Sequence, residues 1–224
     1  MVRKVFLLGR PGSGKSTAAI EMRRIAEGKG WATKHIFDYQ LLQEMFLREK
    51  KKFTPDQERK FLPQGPDECN GFDVLDFSVL DTVLEEMAEE VRKVEQRDSE
   101  QNELILLEFA RDNYTRTLFL FGPDFLQDAL LVYLKVDFDT CIDRIHQRVE
   151  CDCRSDSYNH FVSDDIMRSF YRKDDWSEVI FNLNHTWGIS VKTWEVDNTC
   201  DCQALKEQIE QLVDTELIPE PMPV

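Results

Sequence analysis

The stretch Leu7–Ile20, LLGRPGSGKSTAAI, restricts the possible folds of this chain more than any other part of the sequence. Within it, Gly9–Ser16 satisfies the pattern G-x-x-x-x-G-K-S, whose glycines let backbone N–H groups point into one concavity. The apolar run Val5–Leu8 before the loop indicates a buried strand, and the apolar spacing after Lys15 indicates a helix. The start of that helix adds the positive end of its dipole. The stretch therefore predicts a strand, a phosphate-binding loop and a helix.

The residues of this loop have predicted places in the phosphate site. Lys15 is expected to reach the β and γ phosphates, and the hydroxyl of Ser16 is expected to bind Mg²⁺. Contact with the bound nucleotide is predicted for the whole loop, namely Gly9, Arg10, Pro11, Gly12, Ser13, Gly14, Lys15, Ser16 and Thr17.

Strand and helix patterns alternate along the rest of the chain. Apolar runs predict further strands at Trp31–Phe37, Glu103–Phe109, Ala129–Val136 and Ile189–Val196, with helical spacing between them. A length of 224 residues suits a single core. The alternation therefore predicts one doubly wound α/β domain with a mostly parallel sheet, which we place at 1–218. A proline-rich, flexible tail is expected at 219–224.

Two regions interrupt the alternation. Residues 39–100 are predicted to form a helical insertion, with helices at Tyr39–Lys50 and Asp76–Val94. The proline, glycine and polar residues at 51–72 predict an irregular loop between those helices. Residues 149–176 are polar at first and then helical, which fits a mobile lid over the site.

The second half of this lid is predicted to be a helix at Asp164–Lys173. Arg168 and Arg172 would lie near one face of it, because positions four apart on a helix are neighbours. Closed over a nucleotide, Arg172 would neutralise charge as the phosphoryl group moves and would help exclude water. Ion pairs with surface carboxylates are the alternative interpretation, and the sequence leaves both open.

A carboxylate and an arginine stand at the end of the strand predicted at Glu103–Phe109. Because the carboxyl ends of parallel strands face the ligand crevice, Glu108 is predicted to hold Mg²⁺ through water. Arg111 is predicted, on the same ground, to meet a phosphate. An ordinary surface carboxylate and arginine are the alternative.

Three segments together resemble the adenylate kinase and nucleotide kinase group of phosphate-loop enzymes. They are GRPGSGKST, LLEFAR and YLKVDFDTCIDRIHQR, in this order along the chain. The resemblance implies an adenylate-kinase-like, three-layer P-loop NTPase fold with a five-stranded core. It also implies phosphoryl transfer from ATP, with Arg144 and Arg148 facing the transferring phosphate.

Another segment, HFVSDDIMRSFYRKDDW at His160–Trp176, is similar to the part after the lid in polynucleotide-kinase-like and zeta-toxin-like enzymes. In those relatives an aspartate just after the second strand is the base for a hydroxyl acceptor, and Asp38 has that position here. A hydroxyl acceptor must lose its proton, whereas an acceptor that is already phosphorylated need not. Asp38 is thus interpreted either as this base or as the cap of the following helix.

The hypothesis that follows is an ATP-dependent kinase for a small acceptor, such as a nucleoside, a nucleotide or another hydroxyl metabolite. A polynucleotide 5′-hydroxyl kinase is one alternative, which the net charge of −15 disfavours. A regulatory ATPase with water as its only acceptor is the other. The identity of the acceptor and the oligomeric state cannot be deduced from the sequence.

Location and cysteine chemistry are less strongly indicated. No apolar run approaches the roughly 20 residues of a membrane helix, and no signal peptide is expected. The cytoplasm is the predicted location, where the six cysteines would be mostly reduced. Two C-D-C triplets, Cys151–Cys153 and Cys200–Cys202, offer four thiolates for zinc, but their ligand spacing is tighter than usual.

Overall fold

Seven strands and nine helices are found in the computed structural model, which describes residues 1–52, 58–64, 71–97, 100–150, 162–199 and 202–219. The strands are β1 (Val2–Leu8), β2 (Ala32–Phe37), β3 (Phe61–Pro63), β4 (Phe72–Val74), β5 (Glu103–Glu108), β6 (Ala129–Lys135) and β7 (Lys192–Asp197). The helices are α1 (Lys15–Gly28), α2 (Asp38–Lys52), α3 (Ser78–Glu95), α4 (Tyr114–Phe119), α5 (Pro123–Gln127), α6 (Phe138–Glu150), α7 (Asp164–Ser169), α8 (Trp176–Trp187) and α9 (Cys202–Leu212), with a π-helical turn at Val213–Leu217.

Five parallel strands form the main sheet in the order β2-β5-β1-β6-β7. The central strand β1 pairs Leu7 with Glu108 on one side and with Val132 on the other. All five strands end at the same edge because they run in one direction. The chain leaves β1 and β2 at this edge as Gly9 and Asp38, beside Glu108 at the end of β5.

Helices cover both faces of the sheet. Successive side chains of a strand point to opposite faces. In β1, Phe6 and Leu8 belong to one hydrophobic cluster, which contains the buried face of α3, while Val5 and Leu7 belong to another, which contains α1 and α9. The predicted three-layer α/β fold with a mostly parallel five-stranded sheet is confirmed.

The insertion is more regular than the sequence predicted. β3 lies inside the segment 51–72, which was predicted to be an irregular loop, and it pairs antiparallel with β4, which begins at the last residue of that segment. Their aromatic residues Phe61 and Phe72 pack against Phe46 of α2, with ring centroids 6.0 and 4.8 Å from it. Strands of three residues are too short to display an alternating pattern, and Pro63 resembles a loop marker.

The lid-proximal helix α7 ends at Ser169, four residues before the predicted end at Lys173. Arg172 and Lys173 therefore do not lie on it, which corrects the predicted arrangement. Just after α7, the carbonyl of Tyr171 accepts a hydrogen bond from Arg10 Nε at 2.9 Å. The helices α4, α5 and α8 were not predicted from the sequence.

Some predicted features fall on residues that the structure does not describe. These are residues 151–161 of the predicted lid, residues 220–224 of the predicted tail, and three cysteines of the two triplets, Cys151, Cys153 and Cys200. Among the residues that are described, no helix is both long enough and apolar enough to cross a membrane.

Burial in the central sheet gives a stability prediction. Leu106 of β5 is fully buried, whereas Leu62 of β3 is 43% exposed. Leu106→Ala should lower the free energy of unfolding by about 2–5 kcal/mol, because it removes core contacts and leaves a cavity. Leu62→Ala should change it by no more than about 0.5 kcal/mol. Urea denaturation of both variants checks this, and equal losses would contradict the core described above.

Candidate active site

The phosphate loop between β1 and α1 has a backbone that only glycine adopts easily. Gly9, Gly12 and Gly14 have φ values of 140°, 81° and 95°. A Cβ on Gly12 would lie 2.4 Å from the carbonyl oxygen of Cys141 in α6. A Cβ on Gly14 would lie 2.4 Å from the side-chain nitrogen of Asn198. The glycines therefore allow the left-handed turns and also the close packing of the loop against its neighbours.

Hydrogen bonds from distant parts of the chain fix this loop. The Gly9 N–H donates to the hydroxyl of Tyr114 at 2.8 Å, and Tyr114 is fully buried. Asn198 donates from its side-chain amide to the carbonyl of Ser13 at 2.8 Å. Arg10 forms an ion pair with Asp174 at 2.8 Å. Each of these partners lies more than 100 residues away in sequence, so the shape of the loop depends on the whole fold.

The side chain of Lys15, the first residue of α1, folds back onto the backbone of the loop. Its Nζ donates hydrogen bonds to the carbonyls of Gly9 and Arg10 at 2.8 and 2.9 Å, and the residue is 7% exposed. Burial lowers the pKa of Lys15, although the carboxylates of Glu108 and Asp38 oppose that effect. The Lys15 cation is thus held over two carbonyls of the loop, and its predicted contact with phosphates stays a prediction.

Ser16 and Glu108 form an oxygen pair beside Lys15. The Ser16 hydroxyl donates to Glu108 Oε1 at 2.7 Å, and Glu108 Oε2 lies 3.0 Å from Nε2 of His35. Burial by itself would raise the pKa of Glu108. The hydrogen bond with His35 and the charge of Lys15 outweigh burial and hold that pKa below its ordinary value. An ionised carboxylate next to a hydroxyl is an oxygen donor set that suits Mg²⁺.

Asp38, at the start of α2, is tied to Arg111. Arg111 donates to Asp38 Oδ2 at 2.6 Å and also to the carbonyls of Ala110 and Leu80 at 2.6 and 3.1 Å. The Ala110 N–H contacts the same Oδ2 at 3.4 Å. The side chain of Arg111 is only 4% exposed, so its charge is directed at Asp38 and not into the open crevice. Its predicted contact with a phosphate stays a prediction.

The three other predicted arginines occupy different places. Arg148 lines the same cavity as Lys15 and Glu108, and burial lowers its pKa. Arg144 donates to the carbonyl of Asn198 at 2.9 Å, beside the phosphate loop. Arg172 is exposed and lines a separate surface cavity with Asp112. The structure thus brings Arg148 into the cavity and leaves Arg172 outside it. Arg168 lies 3.6 Å from Asp164, as the surface-pairing interpretation expected.

Several residues of the site were missed in the sequence. Tyr114 supports the loop from below, His35 contacts the predicted magnesium ligand, and Asp174 accepts hydrogen bonds from Tyr133 at 2.9 Å as well as pairing with Arg10. A single polar residue carries no periodic signal, so its partner is known only when the chain is folded.

Two solved structures share this architecture. APS kinase CysC from Mycobacterium tuberculosis, in complex with AMPPNP and APS, matches with a TM-score of 0.55 at 12% identity, over 95% of this chain and 95% of that chain. Kti12 from Chaetomium thermophilum, in complex with ADP-AlF3, matches with a TM-score of 0.51 at 11% identity, over 95% and 98%. No protein-family model and no curated protein sequence matches the chain.

The chain therefore has the fold of the P-loop kinases. The resemblance noted in the sequence agrees with this assignment.

The contact of Gly12 with α6 gives a binding prediction. Gly12→Ala should weaken binding of a fluorescent ATP analogue by at least about tenfold, because the new methyl group strains φ and meets a backbone oxygen. Gly28→Ala is the matched control, since no atom lies within 4 Å of a Cβ there. Unchanged binding by Gly12→Ala would contradict the described loop geometry.

Proposed function

We propose that this protein is an ATP-dependent phosphotransferase that moves the γ-phosphoryl group of ATP to a hydroxyl of a small acceptor. The observation that carries this proposal is a single cavity lined by the phosphate loop, Glu108, Asp38 and Arg148. It joins a donor half, beside the phosphate loop, to an acceptor half, which is lined by residues of α2, β4 and α3. A site that only hydrolysed ATP would need no such second half.

The donor half holds the triphosphate. Backbone N–H groups of the loop and the N-terminus of α1 face the phosphates. Lys15 exchanges its hydrogen bonds with the carbonyls of Gly9 and Arg10 for bonds to phosphate oxygens. Ser16 and Glu108 would hold Mg²⁺, which supplies charge neutralisation across the β and γ phosphates. The AMPPNP and ADP-AlF3 complexes of the two similar structures support a nucleotide at this place.

The acceptor half contains the candidate base. Both hydrogen bonds described for the Asp38 carboxylate end on Oδ2, and Asp38 lines the cavity, so Oδ1 is the oxygen that we assign to the acceptor. Arg111 fixes the orientation of the carboxylate through its bond to Oδ2. Oδ1 then accepts the hydrogen bond of the acceptor hydroxyl and takes its proton.

The transfer step conserves atoms and charge. The acceptor oxygen forms a bond to the γ-phosphorus while the bond from that phosphorus to the β–γ bridging oxygen breaks. The hydroxyl proton goes to Asp38, and ADP is the leaving group. Lys15 and Arg148 stabilise the negative charge that develops on the transferring group. Val162, Ile166 and Tyr171, from the segment that contains α7, also line the cavity and help keep water out of it.

Removal of Lys15 tests the donor half. Lys15→Ala should lower ATP-dependent phosphoryl transfer by at least about a hundredfold, because a buried donor aimed at developing charge is lost. Lys192→Ala is the matched control, since the Lys192 side chain is 73% exposed at the far edge of the sheet. Transfer is measured by ADP release over an acceptor panel, followed by the mass of the product. Full activity of the Lys15→Ala variant would contradict the proposal.

Neutralisation of Asp38 tests the acceptor half. Asp38→Asn should lower kcat by about 10²–10⁴-fold, because proton removal from the hydroxyl is lost. The Kd for ATP should change little, since Asp38 is placed at the acceptor end. The variant also leaves the buried Arg111 without its counter-ion, so thermal unfolding is measured in parallel. A normal kcat in a folded Asp38→Asn variant would rule out Asp38 as the base.

A further inference from the structure

The acceptor half of the cavity has an apolar and largely aromatic wall. The ring of Tyr39 stacks on that of Phe72 with an interplanar angle of 7° and centroids 5.6 Å apart. The ring of Phe77, just before α3, stacks on that of Phe170, just after α7, with centroids 4.6 Å apart. The apolar residues that line this half include Phe37, Tyr39, Leu42, Phe72, Phe77 and Leu80. Flat apolar walls of this kind favour a ring system in the ligand.

One further carboxylate, that of Asp73 in β4, lines this half and was not predicted from the sequence. Asp73 is 7% exposed. Its Oδ2 accepts a hydrogen bond from the Gln64 side-chain amide, and its Oδ1 accepts one from the Ser163 N–H at 3.3 Å. Within the described ranges no lysine, arginine or histidine pairs with Asp73. A buried carboxylate without a cation still has lone pairs that gain from a further donor.

The charges around the cavity are arranged asymmetrically. Of the described residues that line it, the only cations are Lys15 and Arg148, and the charge of Arg148 helps lower the pKa of Lys15 beside the phosphate loop. Asp38 and Asp73 both line the acceptor half, where Asp38 is paired with Arg111 and Asp73 has no described cation. An anionic acceptor would meet the carboxylate of Asp73 there, whose charge no described cation offsets. Like charges brought together in a desolvated pocket repel one another strongly.

We propose that the acceptor is an uncharged, ring-bearing compound with a hydrogen-bond donor that binds Asp73, represented by the nucleosides, and that Asp73 selects it over acceptors that already carry phosphate. This inference rests on the proposed kinase function, because it assigns the acceptor half of the same cavity. The ring lies against the aromatic wall, one hydroxyl reaches Asp38, and a second donor reaches Asp73. Asp73 is thus a specificity residue and takes no part in the transfer step.

Equilibrium binding to the full chain tests this without relying on phosphoryl transfer. The nucleotide site is first saturated with AMPPNP. Matched pairs of a nucleoside and its 5′-monophosphate, built on adenine, guanine, cytosine and thymine, are then titrated by calorimetry. At least one nucleoside should bind at least about tenfold more tightly than its monophosphate. Tighter binding of the monophosphates, or binding of no nucleoside, would overturn the proposal.

A pair of variants assigns the effect to Asp73. Asp73→Asn keeps the shape but removes the charge, so it should raise the Kd for the nucleoside about tenfold and leave the Kd for AMPPNP unchanged. The control is Asp165→Asn, on the exposed side of α7, which should change neither constant. Thermal unfolding checks that both variants fold. A folded Asp73→Asn variant with an unchanged Kd for the nucleoside would remove Asp73 from the proposal and so overturn it.

The outcomes separate this inference from the proposed function. A nucleoside that binds beside AMPPNP but takes no phosphate from ATP would contradict the kinase activity and support the assignment of the pocket. A monophosphate that binds more tightly and is phosphorylated would support the kinase activity and overturn the role given to Asp73.

Discussion

The packing of the phosphate loop against α6 and Asn198 is the constraint on which the rest of the site depends. No side chain fits at Gly12 or Gly14, because backbone and amide atoms occupy the space that a Cβ would need. The path of the loop from β1 to α1 therefore requires glycine at both positions. That path places Lys15 over the carbonyls of Gly9 and Arg10 and places Ser16 against Glu108.

Charged groups around this framework act in pairs. Lys15 and Glu108 influence one another beside the phosphate loop, where both are buried and where burial is the largest single effect on each pKa. Arg111 is directed at Asp38, at the start of α2. Because a buried charge without a partner is costly, each pair holds its members in a fixed orientation.

The sequence predicted the outline of the fold because its signals are local and periodic. The buried strands β1, β5 and β6 are short apolar runs, and α3 repeats its apolar residues at helical spacing, so their positions were predicted to within a few residues. The β3–β4 pair was missed because three-residue strands have no period to detect.

By itself, the sequence determined the phosphate loop, the three-layer fold and the strand ends at which Asp38 and Glu108 stand. Each of these follows from a pattern within a few tens of residues. Only the tertiary structure decided which groups meet: Tyr114 under Gly9, His35 beside Glu108, and Asp73 in the cavity, with Arg172 outside it. Such contacts join residues far apart along the chain, and no local pattern encodes the partner of a single polar side chain.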